Sequence, residues 1–394
     1  MFSFSYIRAN DLHAIINVEL GGIGMELAII GTSGKENEKR VPVHPRHIGI
    51  LKAEVRKALH FETGYGTPFG VSDGEIEEMT GNPLRDRDTL MEYQNIVITK
   101  PVLADFQQMR EGAVVFGWIH AVQQAAITQE AIEKRLSLIA WENMYHQGKR
   151  DRIHIFNKNN EMAGYCGVQH ALRLRGIDGN YGPARKAAVL SLGAVSRGAI
   201  LALRGHGFHD ITVCTRRPTY LIKNKVPGIS YLQIMQQEGA LTVRTVNREV
   251  YPLLEVLTGA DIIVNGIMQN PNDPLIFIRE TDIPAFTREC LLVDISCDAG
   301  MSFSFAQPTS FNEPVFKKGK ILYYAVDHTP TLLWDSASWE ISNCVIQYLP
   351  HLIKGTTNKT LINATDMREG VVLNQDIISY QNRGSEYPYS VLTE

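Results

Sequence analysis

The most informative chemical pattern in this chain is an apolar strand that runs into small residues and then into a helix. The apolar residues Ala188–Leu190 are followed by Ser191–Ala199, which is rich in small side chains. This order of strand, turn and helix brings backbone N–H groups to the pyrophosphate of a dinucleotide. The second strand ends in Thr215, Arg216 and Arg217, where an NAD-binding protein places an acidic residue on the ribose 2′-hydroxyl. Arginines suit a 2′-phosphate instead, so the two features together predict NADP(H) as cofactor.

The predicted contacts to the dinucleotide come from the turn, from the arginine pair and from the ends of two later strands. Ser196 stands where the usual fingerprint has its third glycine, and similar turns occur in α/β proteins of other functions. The predicted cofactor-binding residues are Gly193, Ala194, Val195, Ser196, Arg216, Arg217, Asn265, Gly266 and Asp294.

Three basic residues in the first half of the chain lie where α/β proteins bind anions or move protons. Arg40 lies after a predicted strand and turn and shortly before a predicted helix, and a guanidinium there can clamp a carboxylate with two parallel hydrogen bonds. Lys100 and His120 each follow a predicted strand, and the carboxyl ends of parallel strands are where such folds bind ligands. A histidine at this position can transfer protons near neutral pH. The alternatives are a solvated arginine, a strand-end charge and a loop histidine.

Two acidic residues follow each other closely at the end of the last strand of the dinucleotide-binding region. Asp294 and Asp298 lie in the segment Val293–Gly300. Either carboxylate is placed to face the nicotinamide or the substrate, and capping of the following turn is the alternative explanation for both.

Composition excludes several classes of protein. The formal net charge is −3, with the basic residues scattered along the chain, so neither nucleic acid nor a membrane surface is an expected partner. The five cysteines are far apart, which predicts a reducing compartment and neither disulfides nor a metal site. The chain lacks an apolar run of about 18 residues, and its first 24 residues lack the pattern of a signal peptide. A cytoplasmic protein is expected.

Short apolar strands alternate with helical patterns, which predicts an α/β fold with two domains. Each domain is expected to contain a parallel, Rossmann-like sheet, with the active site in the cleft between the domains. Helices are predicted at His47–Leu59, Gly74–Met79, Thr128–Arg135, Met162–Arg175 and Trp334–Leu349. The predicted divisions are an N-terminal extension at 1–24, a substrate domain at 25–160 completed by about 325–353, an NADP-binding domain at 161–324 and a C-terminal tail at 354–394.

Taken together, the motifs resemble the alanine dehydrogenase, transhydrogenase and saccharopine dehydrogenase superfamily. The shared order is Lys-Arg-Val-x-x-x-Pro, then Thr-Lys-Pro, then Gly-Trp-x-His, then the dinucleotide loop. Within this superfamily the chain is similar to the carboxyethylornithine synthases from about Met25 to Leu349. The segments that carry this similarity are Glu38–Val41, Gly117–His120, Ala163–Leu172, Asp261–Ile267 and Glu313–Phe316.

The resemblance implies an NADPH-dependent condensation of pyruvate with the side-chain amine of ornithine or lysine. It implies that Arg40 and Lys100 hold the carboxylate and carbonyl of pyruvate and that His120 moves protons. Asp298 occupies the position of an acidic residue near the nicotinamide, although Ala299 and the residues after it depart from the Gln-Gly-Gly of alanine dehydrogenases. The catalytic residues would be His120, Lys100 and Asp298.

The resemblance also extends the set of substrate-binding residues. His328 stands in Asp327–Pro330, where alanine dehydrogenases have an Asn-Met-Pro-Gly turn over the cofactor; it could contact nicotinamide or substrate, or belong to a structural turn. Glu142 ends a predicted strand and is a candidate for binding the amine of the amino acid. Because the relatives are oligomeric, a homo-oligomer is expected.

Other functions stay open at this point. An alanine dehydrogenase would use ammonia in place of the amino acid, and a saccharopine dehydrogenase-type enzyme would act on another amino acid. A protein that binds the nucleotide without catalysis is a third possibility, because a fold does not determine a function. The joint presence of Arg40, Lys100 and His120 favours an enzyme.

Overall fold

A computed structural model describes residues 25–147, 152–237, 239–269, 274–355 and 357–392. The predicted N-terminal extension at 1–24 lies outside the described residues. The chain forms two compact units. Up to Lys35, the described residues belong to the first unit, which also contains Arg40–Ile155 and the chain from Ile341 onwards. The second unit contains Glu36–Lys39 and Phe156–Glu340.

Both units are built on sheets whose central strands are parallel. In chain order the described strands are β1 Leu27–Ile30, β2 Leu59–Phe61, β3 Asn95–Ile98, β4 Val114–Gly117, β5 Ser137–Ala140, β6 Tyr145–Gln147, β7 Arg152–His154, β8 Lys186–Leu190, β9 Asp210–Thr215, β10 Ser230–Gln237, β11 Ala240–Arg244, β12 Val250–Pro252, β13 Ile262–Asn265, β14 Ile276–Ile278, β15 Cys290–Asp294, β16 Ser302–Phe303, β17 Val315–Lys318, β18 Ile321–Tyr324, β19 Thr365–Arg368 and β20 Val371–Val372.

The described α-helices cover both units and are mostly short. They are Pro45–Ile48, Ala53–Arg56, Asp73–Thr80, Arg87–Met91, Leu103–Gln108, Ala125–Glu133, Asn157–Arg175, Ala194–Gly205, Leu253–Thr258, Trp334–Val345, Leu349–Lys354, Lys359–Asn363 and Gln375–Tyr380.

The first unit contains a seven-stranded sheet in the order β2-β1-β3-β4-β5-β19-β20. The strands β1 to β5 are parallel, and β19 and β20 extend the sheet in antiparallel fashion. The order 2-1-3-4-5 is that of doubly wound sheets, which bind ligands outside the carboxyl ends of their strands, where the strand order reverses. In this unit that point lies between the ends of β1 and β3.

The second unit contains a nine-stranded sheet in the order β12-β11-β10-β9-β8-β13-β15-β18-β17. The six strands from β10 to β18 in this order are parallel. Counted along the chain, they give the order 3-2-1-4-5-6 of dinucleotide-binding folds. The strand order reverses between β8 and β13, which confirms the prediction of a Rossmann-like sheet.

Both faces of the second sheet are buried, as the continuous apolar strands predict. In β8, Ala188 and Leu190 pack into one apolar cluster, and Ala187 and Val189 pack into another on the opposite face. This alternation follows from the period of two along a strand. The packing of both faces therefore fixes the position of the residues that follow these strands.

The structure differs from the sequence-based expectations in three places. The predicted helix His47–Leu59 consists of two short helices, because Lys52 is extended and Leu59 begins the buried strand β2. Part of the C-terminal tail forms β19 and β20 of the first sheet, because β19 pairs with β5. Residues 325–340, predicted to complete the first domain, lie in the second unit. There the Thr329 hydroxyl donates to the carbonyl of Ala163 at 2.9 Å.

Two glycines allow a close crossing of the helices Asn157–Arg175 and Ala194–Gly205. A Cβ atom added to Gly198 would lie 1.8 Å from the carbonyl oxygen of Glu161, and one added to Gly164 would lie 1.9 Å from that of Val195. Both obstacles are backbone atoms, which cannot move aside as the end of a side chain can. Gly164 therefore has a packing role in the segment Ala163–Leu172.

We expect Gly198→Ala to lower the free energy of unfolding by about 2–3 kcal/mol, because the added methyl group forces the two helices apart. Gly205 lies in the same helix and has open space around it, so Gly205→Ala is the matched control and should be neutral or mildly stabilising. Urea unfolding of the two variants measures the difference. Equal stability of both would contradict the close crossing.

Candidate active site

Lys100 lies at the point where the strand order of the first sheet reverses. It lies two residues after the end of β3 and is 93 % buried. The Ser33 hydroxyl, from the loop after β1, donates to the Lys100 carbonyl at 2.5 Å. The ends of β1 and β3 are thereby joined around the lysine.

Two buried carboxylates fix the loop that follows β1. Glu62 accepts the backbone N–H groups of Gly31 and Thr32 at 2.8 and 2.9 Å. Asp105 accepts that of Gly34 and also pairs with Arg87 at 2.5 Å. Sequence reasoning missed both carboxylates, since each acts on a residue far away in the chain. The loop presents its backbone in one conformation beside Lys100.

Arg40 is brought to the same edge of the sheet by an aromatic contact. Its guanidinium carbon lies 5.1 Å from the centroid of the Trp118 ring, which is a cation–π arrangement. The Trp118 N–H donates to the carbonyl of Thr99, the residue before Lys100, at 3.0 Å. Trp118 in turn packs edge-to-face on Trp141. Trp118 therefore contacts Arg40 and the residue that precedes Lys100, and Arg40 is buried, not solvated.

His120 lies three residues after β4 and has a left-handed backbone, with φ of +53°. Glu142, which follows β5, stabilises this conformation. Its two carboxylate oxygens accept the N–H groups of Ile119 at 3.2 Å and His120 at 2.5 Å. Burial, and then the nearby Asp366, raises the pKa of Glu142 to about 8. Glu142 thus lies beside His120, with its carboxylate turned to the backbone of that residue.

In the second unit, the turn after β8 has the local geometry of a dinucleotide-binding loop. Ser191, at the first position of the fingerprint, has a φ of +84°, which glycine usually supplies. Its hydroxyl accepts the N–H of Gly193, the residue that caps the helix Ala194–Gly205. Ser196 donates to the carbonyl of Leu190 at 3.1 Å, so its buried side chain secures the turn.

Gly266 supports the same turn from the end of β13. A Cβ atom at this position would lie 2.8 Å from Ser196 Oγ and 2.9 Å from a methyl group of Val195. The absence of a side chain lets the end of β13 approach the start of the helix Ala194–Gly205 at the point where the strand order reverses. This close approach fits a backbone cradle for a pyrophosphate.

A cavity of about 620 Å³ opens at the carboxyl ends of β8 and β9. Arg216 lines it and is exposed, and Arg217 is also exposed. The cavity residues are Ser191, Cys214, Thr215, Arg216, Ile234, Met235, Gln236, Leu241, Ile267, Met268, Gln269, Leu275 and Phe277. A cavity lined by both apolar and polar side chains, with a cationic group among them, suits a nucleoside that carries a phosphate.

Asn265 and Asp294, both predicted to bind the cofactor, form a buried network in the structure. The Asn265 amide donates to Asp294 at 2.9 Å and to Ser302 at 2.9 Å. Tyr323 donates to the other Asp294 oxygen at 2.7 Å. Burial raises the pKa of Asp294 to about 6. These two side chains fix the ends of β13 and β15, leaving backbone atoms to face a ligand.

Asp298 lies in the loop after β15, four residues beyond Asp294. Burial, and then the neighbouring Asp294, raises its pKa to about 6. A carboxyl group with this pKa is able to take up or release a proton near neutral pH. Its predicted catalytic role stays a prediction.

His328 has both ring nitrogens engaged within the second unit. Nδ1 lies 2.6 Å from Asp327 Oδ1, and Nε2 lies 2.5 Å from the carbonyl oxygen of Glu36. The Glu36 carboxylate accepts the N–H groups of Phe311 and Asn312 at 3.1 Å each. The ring thus anchors the segment Glu36–Lys39 and has no nitrogen directed to a substrate, which favours the structural alternative.

In the described part of the chain, no helix has the length and apolar character needed to cross a bilayer. Across the same residues, no group of His, Cys, Asp and Glu side chains is arranged to hold a metal ion.

Comparison with known proteins identifies the family. The sequence profile of the Alanine dehydrogenase/PNT N-terminal domain matches residues 32–163, and that of the C-terminal domain matches residues 224–381. The chain is 27 % identical to an N(5)-(carboxyethyl)ornithine synthase of Clostridium botulinum over 331 residues, covering 79 % of this chain and 90 % of that protein. It is 21 % identical to an alanine dehydrogenase of Mycobacterium tuberculosis, covering 92 % and 99 % of the two chains.

Solved structures show the same fold. An L-alanine dehydrogenase superposes with a TM-score of 0.71 at 17 % identity, covering 90 % of this chain and 99 % of that one. A transhydrogenase from Sinorhizobium meliloti gives a TM-score of 0.65 at 17 % identity, covering 88 % and 99 %. The resemblance inferred from the motifs is confirmed: the chain belongs to the alanine dehydrogenase/PNT family, whose dehydrogenase and transhydrogenase members are oxidoreductases.

Proposed function

We propose that this protein catalyses the NADPH-dependent condensation of pyruvate with the side-chain amine of ornithine or lysine. The observation that carries the proposal is the burial of Arg40 and Lys100 on the loops after β1 and β3, where the strand order of the first sheet reverses. Trp118 contacts Arg40 through its ring and the residue before Lys100 through its backbone. Two buried cationic side chains on adjacent loops suit a 2-oxo acid. One cation can bind its carboxylate and the other can polarise its keto oxygen. The similarity to N(5)-(carboxyethyl)ornithine synthases supports the choice of the amine.

In the proposed reaction, Arg40 binds the carboxylate of pyruvate and Lys100 donates to its keto oxygen. The deprotonated amine attacks the keto carbon, and the oxygen leaves as water once it has been protonated. His120 gives and takes the protons of these two steps, for which a histidine is suited near neutral pH. Pyruvate, amine, NADPH and one proton become the N-(1-carboxyethyl) amino acid, NADP⁺ and water.

NADPH, when bound, supplies the hydride that reduces the C=N bond. In our proposal the turn Ser191–Val195 holds its pyrophosphate, and Arg216 and Arg217 hold its 2′-phosphate. The left-handed backbone at Ser191 and the close approach at Gly266 support this assignment. Binding through Asn265 and Asp294 would use backbone atoms, since their side chains bond to each other.

The test is loss of NADPH absorbance with pyruvate alone and with pyruvate plus ornithine, lysine or ammonia. We expect turnover with ornithine or lysine, and mass spectrometry should show the amino acid heavier by one carboxyethyl group on its side-chain nitrogen. The rate should rise with pH above neutrality, because the free side-chain amine has a pKa near about 10.4. Formation of alanine from pyruvate and ammonia, or substitution on the α-nitrogen, would refute the proposal.

A further inference from the structure

The C-terminal segment binds the loop that begins at His120. This loop, His120–Gln124, is the part of the connection after β4 that leads into the helix Ala125–Glu133. The left-handed φ of +53° at His120 is unfavourable for a residue with a side chain, so bonds on the loop must maintain it. Glu142 supplies such bonds on the N–H side of His120.

Gln381 supplies the corresponding bonds to the carbonyl groups that follow His120. Its Nε2 donates to the carbonyl oxygen of Ala121 at 2.7 Å and lies 3.1 Å from that of Val122. The same nitrogen lies 3.1 Å from the hydroxyl of Thr128, which itself donates to Ala121 at 2.8 Å. Ala121 and Thr128 are fully buried, so water does not replace these bonds. The two carbonyls that follow His120 are therefore held by one side chain of the C-terminal segment.

Arg383 determines which way the Gln381 amide faces. Its Nε donates to Gln381 Oε1 at 2.6 Å. A guanidinium only donates and carbonyl oxygens only accept, so the amide must turn its oxygen to Arg383 and its nitrogen to the loop. Arg383 is 96 % buried and also donates to the carbonyl of Ala125, the first residue of the helix after the loop. Gln381 and Arg383 together thus bind both ends of the segment from Ala121 to Ala125.

We infer that Gln381, oriented by Arg383, is a positioning residue that acts through the His120 loop on proton transfer. This inference rests on the proposed function, in which His120 moves the protons. Gln381 is not one of the residues proposed to contact pyruvate. Its replacement should therefore change the rate through the placement of His120. A displacement of about 1 Å in a catalytic group can cost about 100-fold in rate.

The sharpest test is Gln381→Glu, which keeps the size and the oxygen that Arg383 binds but removes both N–H donors. We expect kcat to fall about 10- to 100-fold with the KM for pyruvate changed less than about threefold. Gln375→Glu makes the same chemical change at an exposed position of the helix Gln375–Tyr380 and should leave kcat unchanged. In a His120→Ala background, Gln381→Glu should cost nothing further, because the group on which it acts is gone.

A second readout does not depend on turnover. Hydrogen–deuterium exchange should accelerate in a peptide covering 117–124 of Gln381→Glu and stay unchanged in Gln375→Glu. Thr128→Val, which removes the hydroxyl without changing the shape, should give a smaller effect in the same direction. Wild-type kcat or unchanged exchange in Gln381→Glu would overturn the inference. Absence of turnover by the wild-type protein with every amine would overturn the proposed function, while the exchange experiment would still test the loop.

Discussion

We expect His120→Ala and Lys100→Ala each to lower kcat at least about 100-fold, the usual loss for a proton-transfer or charge-stabilising group. The two residues should differ in their effect on substrate binding. Lys100 would bind pyruvate and would stabilise the negative charge that develops on its keto oxygen. Its loss should therefore also raise the KM for pyruvate. His120 would act on protons alone, so its loss should appear in kcat with KM nearly unchanged.

Controls separate chemistry from folding. Lys100 is buried, so Lys100→Met, which keeps most of the apolar stem, distinguishes the loss of the charge from the loss of packing. The exposed residues Lys52 and His209 provide matched Lys→Ala and His→Ala changes that should leave turnover intact. Full turnover by either site variant, with a Tm like that of the wild-type protein, would remove that residue from the mechanism.

The sequence predicts those parts of the candidate site that depend on contiguous residues. One short stretch of sequence encodes the strand β8, the turn after it and the helix Ala194–Gly205. Lys100 follows an apolar strand whose end is marked by the change from apolar to polar residues. In each case the neighbouring residues determine the local structure, and the parallel order of the strands places their ends at one edge.

Other parts of the site depend on contacts between distant residues, which no local pattern displays. Gln381 contacts Ala121 across 260 positions of the chain, and the C-terminal tail has no strong periodicity to predict β19. Glu142 and His328 are polar residues at strand or turn ends, as ligand-binding residues often are. In the structure their carboxylate and ring satisfy backbone groups within the protein, a role that residue type alone does not distinguish from ligand binding.

The choice of cofactor should depend on two exposed arginines. Arg216 lines the cavity that opens beside Ser191, and Arg217 follows it. NADPH differs from NADH in one phosphate, so a preference between them measures contacts to that group. Each hydrogen bond to a charged group contributes about 1.5–3 kcal/mol. Even one such bond at the lower value predicts a preference for NADPH of more than about tenfold in kcat/KM.

Replacing Arg216 and Arg217 together with Ala should therefore raise the KM for NADPH at least about tenfold and leave that for NADH nearly unchanged. Replacing the exposed Arg110 and Arg248 with Ala removes the same charge elsewhere and controls for the overall field of the protein. The preference should weaken as salt concentration rises, since exposed charges are screened. Equal use of the two cofactors by the unaltered protein, or a preference that survives the double replacement, would contradict the assignment of these arginines to the 2′-phosphate.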